Sequence, residues 1–244
     1  ALNAKRFVER WKPDVVIATE DNAAQYFIVP YFKDTTLPVV FCGVNWDASG
    51  YGLPCSNVTG MLEVHLIDQV VAYLQRHGRD SSLVVLSSNT PSGRKSQTYW
   101  QELLPDTEEV IFLETFEQFR NTFIRVQKRY GIALIMEISS LDGFDSGEFR
   151  AFMLDRVAIP TGGISANQSV GVLVTCAQVP EEMGEWAART ALRILDGTPP
   201  SEIPVTKNRQ ARVYLNMTMA KKMGILFSEQ LIDIARFVEE EPAL

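Results

Sequence analysis

Carboxylates and an amide stand directly after several short apolar runs of this chain. Glu20 and Asp21 follow Val-Val-Ile-Ala-Thr, Asn45 follows Phe-Cys-Gly-Val, and Glu137 follows Ala-Leu-Ile-Met. Such groups can meet the ammonium, hydroxyl or amide group of a small molecule. A carboxylate at the end of an apolar strand needs a partner, so Glu137 is either a ligand contact or a structural carboxylate bonded within its own domain. Asp21 also has two interpretations, ligand contact or helix cap.

Two aromatic residues lie in the polar, glycine-rich stretch that begins at Asn45. Trp46 and Tyr51 are costly to leave in water, so they either fold back onto the core or form an aromatic wall for a ligand.

Hydroxyl and amide groups follow two further apolar runs. Asn89, Thr90 and Ser92 stand before a helix-like segment, where hydroxyls and free backbone N–H groups suit a carboxylate, phosphate or carbonyl, or simply cap the helix. Thr161 stands at the end of another predicted strand and joins these candidates.

The inventory for catalysis and metal binding is thin. The chain has two histidines and no Gly-x-Ser-x-Gly, HExxH, GxGxxG or P-loop pattern, which favours binding over reaction chemistry and implies no cofactor. Its three cysteines lack the spacing of metal ligands. Cys42 and Cys176 lie in apolar runs as core residues, and a disulfide between Cys42 and Cys55 remains an alternative.

Composition excludes other classes of protein. A net charge of −7 over 244 residues argues against a nucleic-acid partner, because neutralising phosphates needs clustered Lys and Arg. No apolar run approaches the ~20 residues of a membrane span. No signal peptide is visible, so any export signal has been removed or was never included.

The candidate residues must be positioned by alternating strands and helices. Apolar runs predict strands at 14–19, 38–43, 82–88, 109–114, 133–138, 158–162 and 172–177. Apolar residues at three- and four-residue spacing predict helices at 22–32, 66–77, 93–104, 116–130, 147–156 and 180–195. This alternation is typical of α/β proteins with parallel sheets, which bind ligands at the carboxyl ends of their strands. The stretch 45–60 has no periodic pattern and is interpreted as a loop and crossover between two sheets.

Several segments resemble the substrate-binding proteins of ABC transporters, in particular the subfamily that includes aromatic amino-acid binders. They are Lys-Pro-Asp-Val-Val-Ile-Ala-Thr at 12–19, Leu-Pro-Val-Val-Phe-Cys-Gly-Val-Asn at 37–45, Asn-Val-Thr-Gly-Met at 57–61, the segment 184–205 and the closing segment 213–225.

The resemblance implies a type I periplasmic-binding fold with two Rossmann-like lobes and a ligand cleft between them. Lobe one would comprise 1–57 and 172–204, and lobe two 60–170 and 206–240, with crossovers near 57–60, 165–171 and 204–214. The family pattern opens with a further strand, helix and strand, so we expect the sequence to be N-terminally incomplete.

The implied function is capture of a small molecule, an amino acid or other small polar solute, outside the cytoplasm. The implied partner is an ABC permease. The alternative is the sensing domain of a membrane receptor such as a sensor histidine kinase. A lipid anchor or membrane tether in the full-length protein stays open.

Overall fold

The computed structural model describes residues 1–238, except for the side chains of Pro91 and Ser92. The strands are β1 (Val16–Thr19), β2 (Val39–Asn45), β3 (Val58–Glu63), β4 (Leu83–Ser88), β5 (Thr107–Leu113), β6 (Ile132–Met136), β7 (Thr161–Gly163), β8 (Val174–Gln178), β9 (Thr206–Lys207), β10 (Ala211–Leu215) and β11 (Arg236–Phe237). The helices are α1 (Leu2–Trp11), α2 (Glu20–Ala23), α3 (Val29–Tyr31), α4 (Ile67–Gln75), α5 (Pro91–Leu103), α6 (Phe116–Val126), α7 (Ser146–Arg156), α8 (Pro180–Leu195), α9 (Met217–Met223) and α10 (Glu229–Ile234). A π-helical turn, Ala24–Ile28, joins α2 to α3.

The chain forms two compact units. Unit one contains Ala1–Val64 and Val179–Gln210, and unit two contains His65–Gln178 and the chain from Ala211 onward. Each unit has its own largely parallel sheet, as the alternating pattern predicts.

The sheet of unit one has the order β1-β2-β3-β9, and all its neighbours are parallel. One face packs against the helical segment after β1 through residues such as Phe27 and Phe41, and the other packs against α8 through residues such as Val40 and Ala187. A Cβ on Gly60 would lie 2.3 Å from the Phe41 ring, so only glycine lets that ring lie against β3.

The outer margin of this sheet is β1. Within residues 1–238, β1 pairs only with β2, and Ile17 keeps 45% of its surface exposed. Beside it, α1 buries none of its residues.

The sheet of unit two has the order β11-β10-β8-β7-β6-β4-β5. The strands from β8 to β5 run parallel, and β10 is antiparallel to β8. Its strands β4 and β6 are buried throughout, because helices cover both faces.

Two stretches differ from the sequence-based prediction. The loop expected over 45–60 ends early, because Val58–Glu63 forms β3 between β2 and β9. The segment 172–178, expected in lobe one, supplies β8 to unit two, since β8 pairs with β7 and β10. The unit boundaries therefore fall at 64–65, 178–179 and 210–211, and residues 239–240 of the predicted lobe two lie outside the described residues.

The disulfide alternative is not realised. Cys42, Cys55 and Cys176 are all free, with Cys42 and Cys176 buried as expected of core residues. Cys42 packs on the α8 side of the sheet, whereas Cys55 packs against the cluster on the opposite face. The sheet itself separates the two sulfurs.

Candidate ligand-binding site

The first group of candidate residues lies at the carboxyl edge of the unit-one sheet. Thr19 of β1 pairs with Cys42 of β2, and Asn45 of β2 pairs with Glu63 of β3. Because the three strands are parallel neighbours, Glu20, Asn45 and Glu63 end up at one edge of the sheet. The structure thus brings together Glu20, Asp21 and Asn45, as the sequence predicts.

Glu20 has an unusual backbone conformation. Its φ of 74° lies in the left-handed region, which L-residues other than Asn and Asp seldom occupy. Its Oε1 lies 3.3 Å from the position of a Cβ on Gly43, where the pairing of β2 with β3 shifts register. The absence of a side chain at Gly43 therefore makes room for the Glu20 carboxylate. Within residues 1–238 this carboxylate makes no side-chain hydrogen bond or ion pair.

Asp21 bonds to residues 45–51, which we call the aromatic loop and which begin with the last residue of β2. Its Oδ2 accepts hydrogen bonds from the backbone N of Asn45 at 3.0 Å and from Asn45 Nδ2 at 2.7 Å. Its Oδ1 accepts one from the Tyr51 hydroxyl at 2.7 Å. The N-cap residue of α2 is Thr19 and makes no side-chain cap, so helix capping is not the role of Asp21.

Both aromatic residues of this loop are withdrawn from solvent. Trp46 is 5% exposed, has a left-handed φ of 60° and donates its backbone N–H to the carbonyl of Glu63 at 2.8 Å. Tyr51 is half-buried against the unit-one core. Burial and the bond to Asp21 raise the pKa of the Tyr51 phenol. The aromatic wall stays a prediction.

Glu63 is a carboxylate that sequence reasoning missed. It ends β3, and burial together with the negative charges of Glu20 and Asp21 raises its pKa to about 7. Burial and Asp21 also raise the pKa of Glu20. The sequence contained the same pattern that identified Glu20. Glu63 directly follows the run Val-Thr-Gly-Met-Leu, just as Glu20 directly follows an apolar run.

At the carboxyl edge of the unit-two sheet, Asn89 is bonded to its neighbours. Asn89 Nδ2 donates to Glu114 Oε1 at 3.2 Å, and Asn89 Oδ1 accepts from Arg94 Nε at 2.8 Å. The Arg94 guanidinium lies 3.6 Å from the centroid of the Phe112 ring. Asn89 is thus the centre of a polar network of its own unit.

Thr90 caps α5. Its hydroxyl oxygen accepts from the backbone N of Gly93 at 3.1 Å and lies 3.2 Å from the Ser88 hydroxyl. Thr90 is thus the N-cap of α5, and its role as a ligand contact stays a prediction. The side chain of Ser92 lies outside the described residues.

Glu137 follows β6 and, like Glu20, adopts a left-handed φ, here 49°. Its Oε1 accepts a hydrogen bond from Ser96 of α5 at 3.2 Å. Burial raises the pKa of Glu137, and the bond from Ser96 offsets part of that shift. The carboxylate is thus half-buried at the carboxyl edge, in the place that the sequence predicts.

Thr161 does not reach this edge. It pairs with Ala133 near the start of β6, four residues before Glu137 and therefore about 13 Å away along the strand. The residue is 0% exposed, and its hydroxyl contacts Met219 and the backbone N of Leu173. The predicted strand 158–162 forms three residues later than expected, which moves Thr161 to the amino end of β7.

The described residues hold neither a cluster of metal ligands nor a membrane-spanning helix. Across residues 1–238, no group of three or more His, Cys, Asp or Glu side chains is placed to hold a metal ion. No helix in the same range is both long and apolar enough to cross a membrane.

Comparison with known proteins agrees with the resemblance seen in the sequence. Residues 164–238 match the family described as ABC transporter substrate binding protein. The resemblance to ABC transporter substrate-binding proteins is confirmed. No curated protein matches the chain significantly.

Several solved structures share the fold of this chain. An ABC domain from Streptococcus pneumoniae in complex with L-Trp gives a TM-score of 0.71 at 20% identity, over 98% of this chain and 83% of that one. An open, ligand-free substrate-binding protein with adhesive properties from Clostridium difficile gives 0.76 at 16% identity, over 98% and 82%. A conserved domain protein from Vibrio cholerae gives 0.70 at 17% identity, over 97% and 81%. The type I periplasmic-binding fold is thereby confirmed.

ABC transporter substrate-binding proteins bind solutes outside the cytoplasm and are not a family of enzymes. The matched segment 164–238 lies largely in unit two. The candidate residues of unit one lie outside that segment, so their assignment depends on the geometry described above.

Proposed function

We propose that this protein is an extracytoplasmic solute-binding protein that captures a small polar molecule for an ABC importer. The candidate ligand contacts are the strand-end residues described for each unit. The observation that carries the proposal is the position of the strained backbone. Five non-glycine residues have positive φ in the described chain, and three of them, Glu20, Trp46 and Glu137, follow strands at the carboxyl edges.

Strain of this kind costs on the order of 1–3 kcal/mol at each residue and persists where the surrounding structure imposes it, often at ligand sites. The other two positive-φ residues, Lys12 and Asp34, lie after a helix and in a turn. The sequence predicts Glu20 and Glu137 from strand ends, and Trp46 as an aromatic residue in a polar loop. Backbone strain is therefore an independent reason to place ligand contacts there.

Electrostatics at unit one favour a ligand with N–H or O–H donors, above all a cationic amine. Burial and the negative charges of Glu20 and Asp21 raise the pKa of Glu63, and burial and the charge of Asp21 raise the pKa of Glu20. Carboxylates accept hydrogen bonds and cannot donate while ionised, so a ligand ammonium would offset their repulsion. An amino acid or another amine-bearing polar solute has this chemistry.

A thermal-shift panel tests the proposal with three indole compounds of similar shape and different charge, L-tryptophan, tryptamine and indole-3-acetate. 5-Methylthioribose, other amino acids, polyamines and sugars would complete the panel. We expect at least one amine-bearing solute to raise the Tm at millimolar concentration. With a Kd near 10 μM, a hundredfold excess would stabilise the protein by about 2.7 kcal/mol.

The matched control is Glu202→Gln, an exposed acid of unit one that lies away from the strand ends. It should leave the ligand-induced shift unchanged, whereas Glu20→Gln should reduce it. A panel in which no solute stabilises the protein, or only anionic solutes do, would contradict the proposal.

A further inference from the structure

We infer that Asp21 is a positioning residue, which holds the aromatic loop in place through Asn45 and Tyr51 and leaves ligand contact to its neighbour Glu20. The inference deepens the proposed function and rests on it, because it assigns roles within the same site. It also replaces both sequence interpretations of Asp21, as a helix cap and as a ligand contact.

The first argument is the number of donors that Asp21 already accepts. Its two oxygens receive three hydrogen bonds of 2.7–3.0 Å, all from the aromatic loop. A carboxylate offers about four acceptor positions. Glu20, one residue earlier, makes no such bond within residues 1–238. Two adjacent acids thus have different roles, one facing the protein and one available to a ligand.

The second argument is where those donors lie. Asn45 is the first residue of the aromatic loop and Tyr51 is the last, and Asp21 is 24 and 30 residues away from them along the chain. A single carboxylate that binds both ends of a loop fixes the span of the loop against the sheet. Trp46 lies between these two anchors, so Asp21 also sets the position of Trp46.

The third argument is what the described backbone bonds of the rest of the loop do: they join the loop to itself and, through Trp46, to β3. The backbone N of Ser49 donates to Asp47 Oδ1 at 2.9 Å, and the backbone N of Tyr51 donates to the Ala48 carbonyl at 3.0 Å. These bonds give the loop its turn but do not fasten it to the start of α2. The Asp21 carboxylate provides that attachment.

Hydrogen–deuterium exchange of the ligand-free full chain tests the inference in Asp21→Asn, Tyr51→Phe and the double variant. We expect the amides of residues 48–53 to exchange about tenfold faster in each single variant, because each loses a charge-assisted bond. The double variant should exchange no faster than Asp21→Asn, since both changes remove the same attachment. Amides of β3 and of unit two should keep their rates.

Tyr73→Phe is the matched control, because it removes a hydroxyl from a half-buried tyrosine of unit two. It should leave residues 48–53 unchanged. Unchanged exchange in the Asp21 variants would overturn the inference, and so would uniform acceleration across unit one, which would indicate a general structural role. The emission of Trp46, isolated by subtracting the spectrum of Trp46→Phe, should shift to longer wavelength in Asp21→Asn.

No ligand enters these measurements. A failure here would therefore leave the proposed function standing, and a failure of the thermal-shift panel would leave the role of Asp21 in the loop standing.

Discussion

The carboxyl edges of the two sheets carry similar residue types, acids and amides after apolar strands, but differ in how these groups are bonded. In unit two, Asn89 joins Glu114 to Arg94, and Glu137 accepts a bond from Ser96. In unit one, Glu20 and Glu63 lie near Asp21 with no side-chain hydrogen bond or ion pair of their own in the described residues. The polar side chains at the unit-two edge are hydrogen-bonded to neighbours, whereas, within residues 1–238, Glu20 and Glu63 at the unit-one edge are not.

This difference indicates that the two edges respond differently to a ligand. An edge with unmatched partly buried carboxylates gains most when a cation arrives, because the ligand removes a repulsion already present. An edge whose polar groups bond to each other is already formed before the ligand arrives and contributes shape and a few oriented acceptors. We therefore expect the unit-one edge to select a ligand for its charge.

The largest expected effect is that of Glu63→Gln on the stability of the ligand-free protein. Burial and two neighbouring acids raise the pKa of Glu63 from 4.5 to about 7. Between these two pH values the folded protein keeps a proton on Glu63 that the unfolded chain has lost. The stability from this proton is fully present below pH 4.5 and is lost as the pH rises through 7. The variant should thus match the native protein at pH 4 and exceed its free energy of unfolding by about 3 kcal/mol at pH 8.

Denaturant unfolding at the two pH values measures this difference. Glu202→Gln should change the free energy of unfolding by less than about 0.5 kcal/mol at both pH values, as surface substitutions usually do. If Glu63→Gln changed the free energy of unfolding equally at pH 4 and pH 8, Glu63 would not be a destabilising charge. The proposed difference between the two edges would then be wrong.

An intermediate effect is expected from Glu137→Gln on affinity. The charge-assisted bond that the carboxylate makes to a ligand donor becomes a neutral one, which should weaken binding by about 1–2 kcal/mol. Isothermal titration with the strongest stabiliser from the thermal-shift panel measures this loss. A lower Tm of the ligand-free variant with unchanged affinity would assign Glu137 to the structure of unit two alone.

The smallest effect is expected from Asn89→Ala. Asn89 and its partners Glu114 and Arg94 are exposed, so the network they form should contribute less than about 0.5 kcal/mol to stability or affinity. Chemical denaturation and titration with the same solute would measure both quantities. A loss of affinity above tenfold would contradict this expectation, because it would show that the Asn89 network contributes substantially to ligand binding.

Much of the fold could be predicted from local pattern. Helix α8 begins and ends where the sequence places it, because Pro180 and two acids open it and Gly197 follows its end. Strand β3 was missed because Gly60 and the preceding glycine- and serine-rich stretch resemble a loop. In the structure Gly60 is a strand residue that accommodates the Phe41 ring.

The site was predictable only in outline. Strand ends identify Glu20, Asp21, Asn45 and Glu137, because the carboxyl ends of parallel strands meet at one edge. Whether a given acid is bonded depends on partners far along the chain, as with Asp21 and Tyr51, and no local pattern reports that. Thr161 shows the same limit, since a shift of three residues in the start of a short strand moved it to the opposite end of the sheet.

The margin of unit one at β1 has a consequence for protein engineering. An edge strand exposes a row of backbone donors and acceptors to which any extended chain can add, and natural sheets protect such edges with lysine, proline or a bulge. Strand β1 reads Val-Ile-Ala-Thr and contains none of these, and Ile17 is exposed there. A biosensor built from residues 1–244 alone would therefore need a lysine at position 17 to protect this edge.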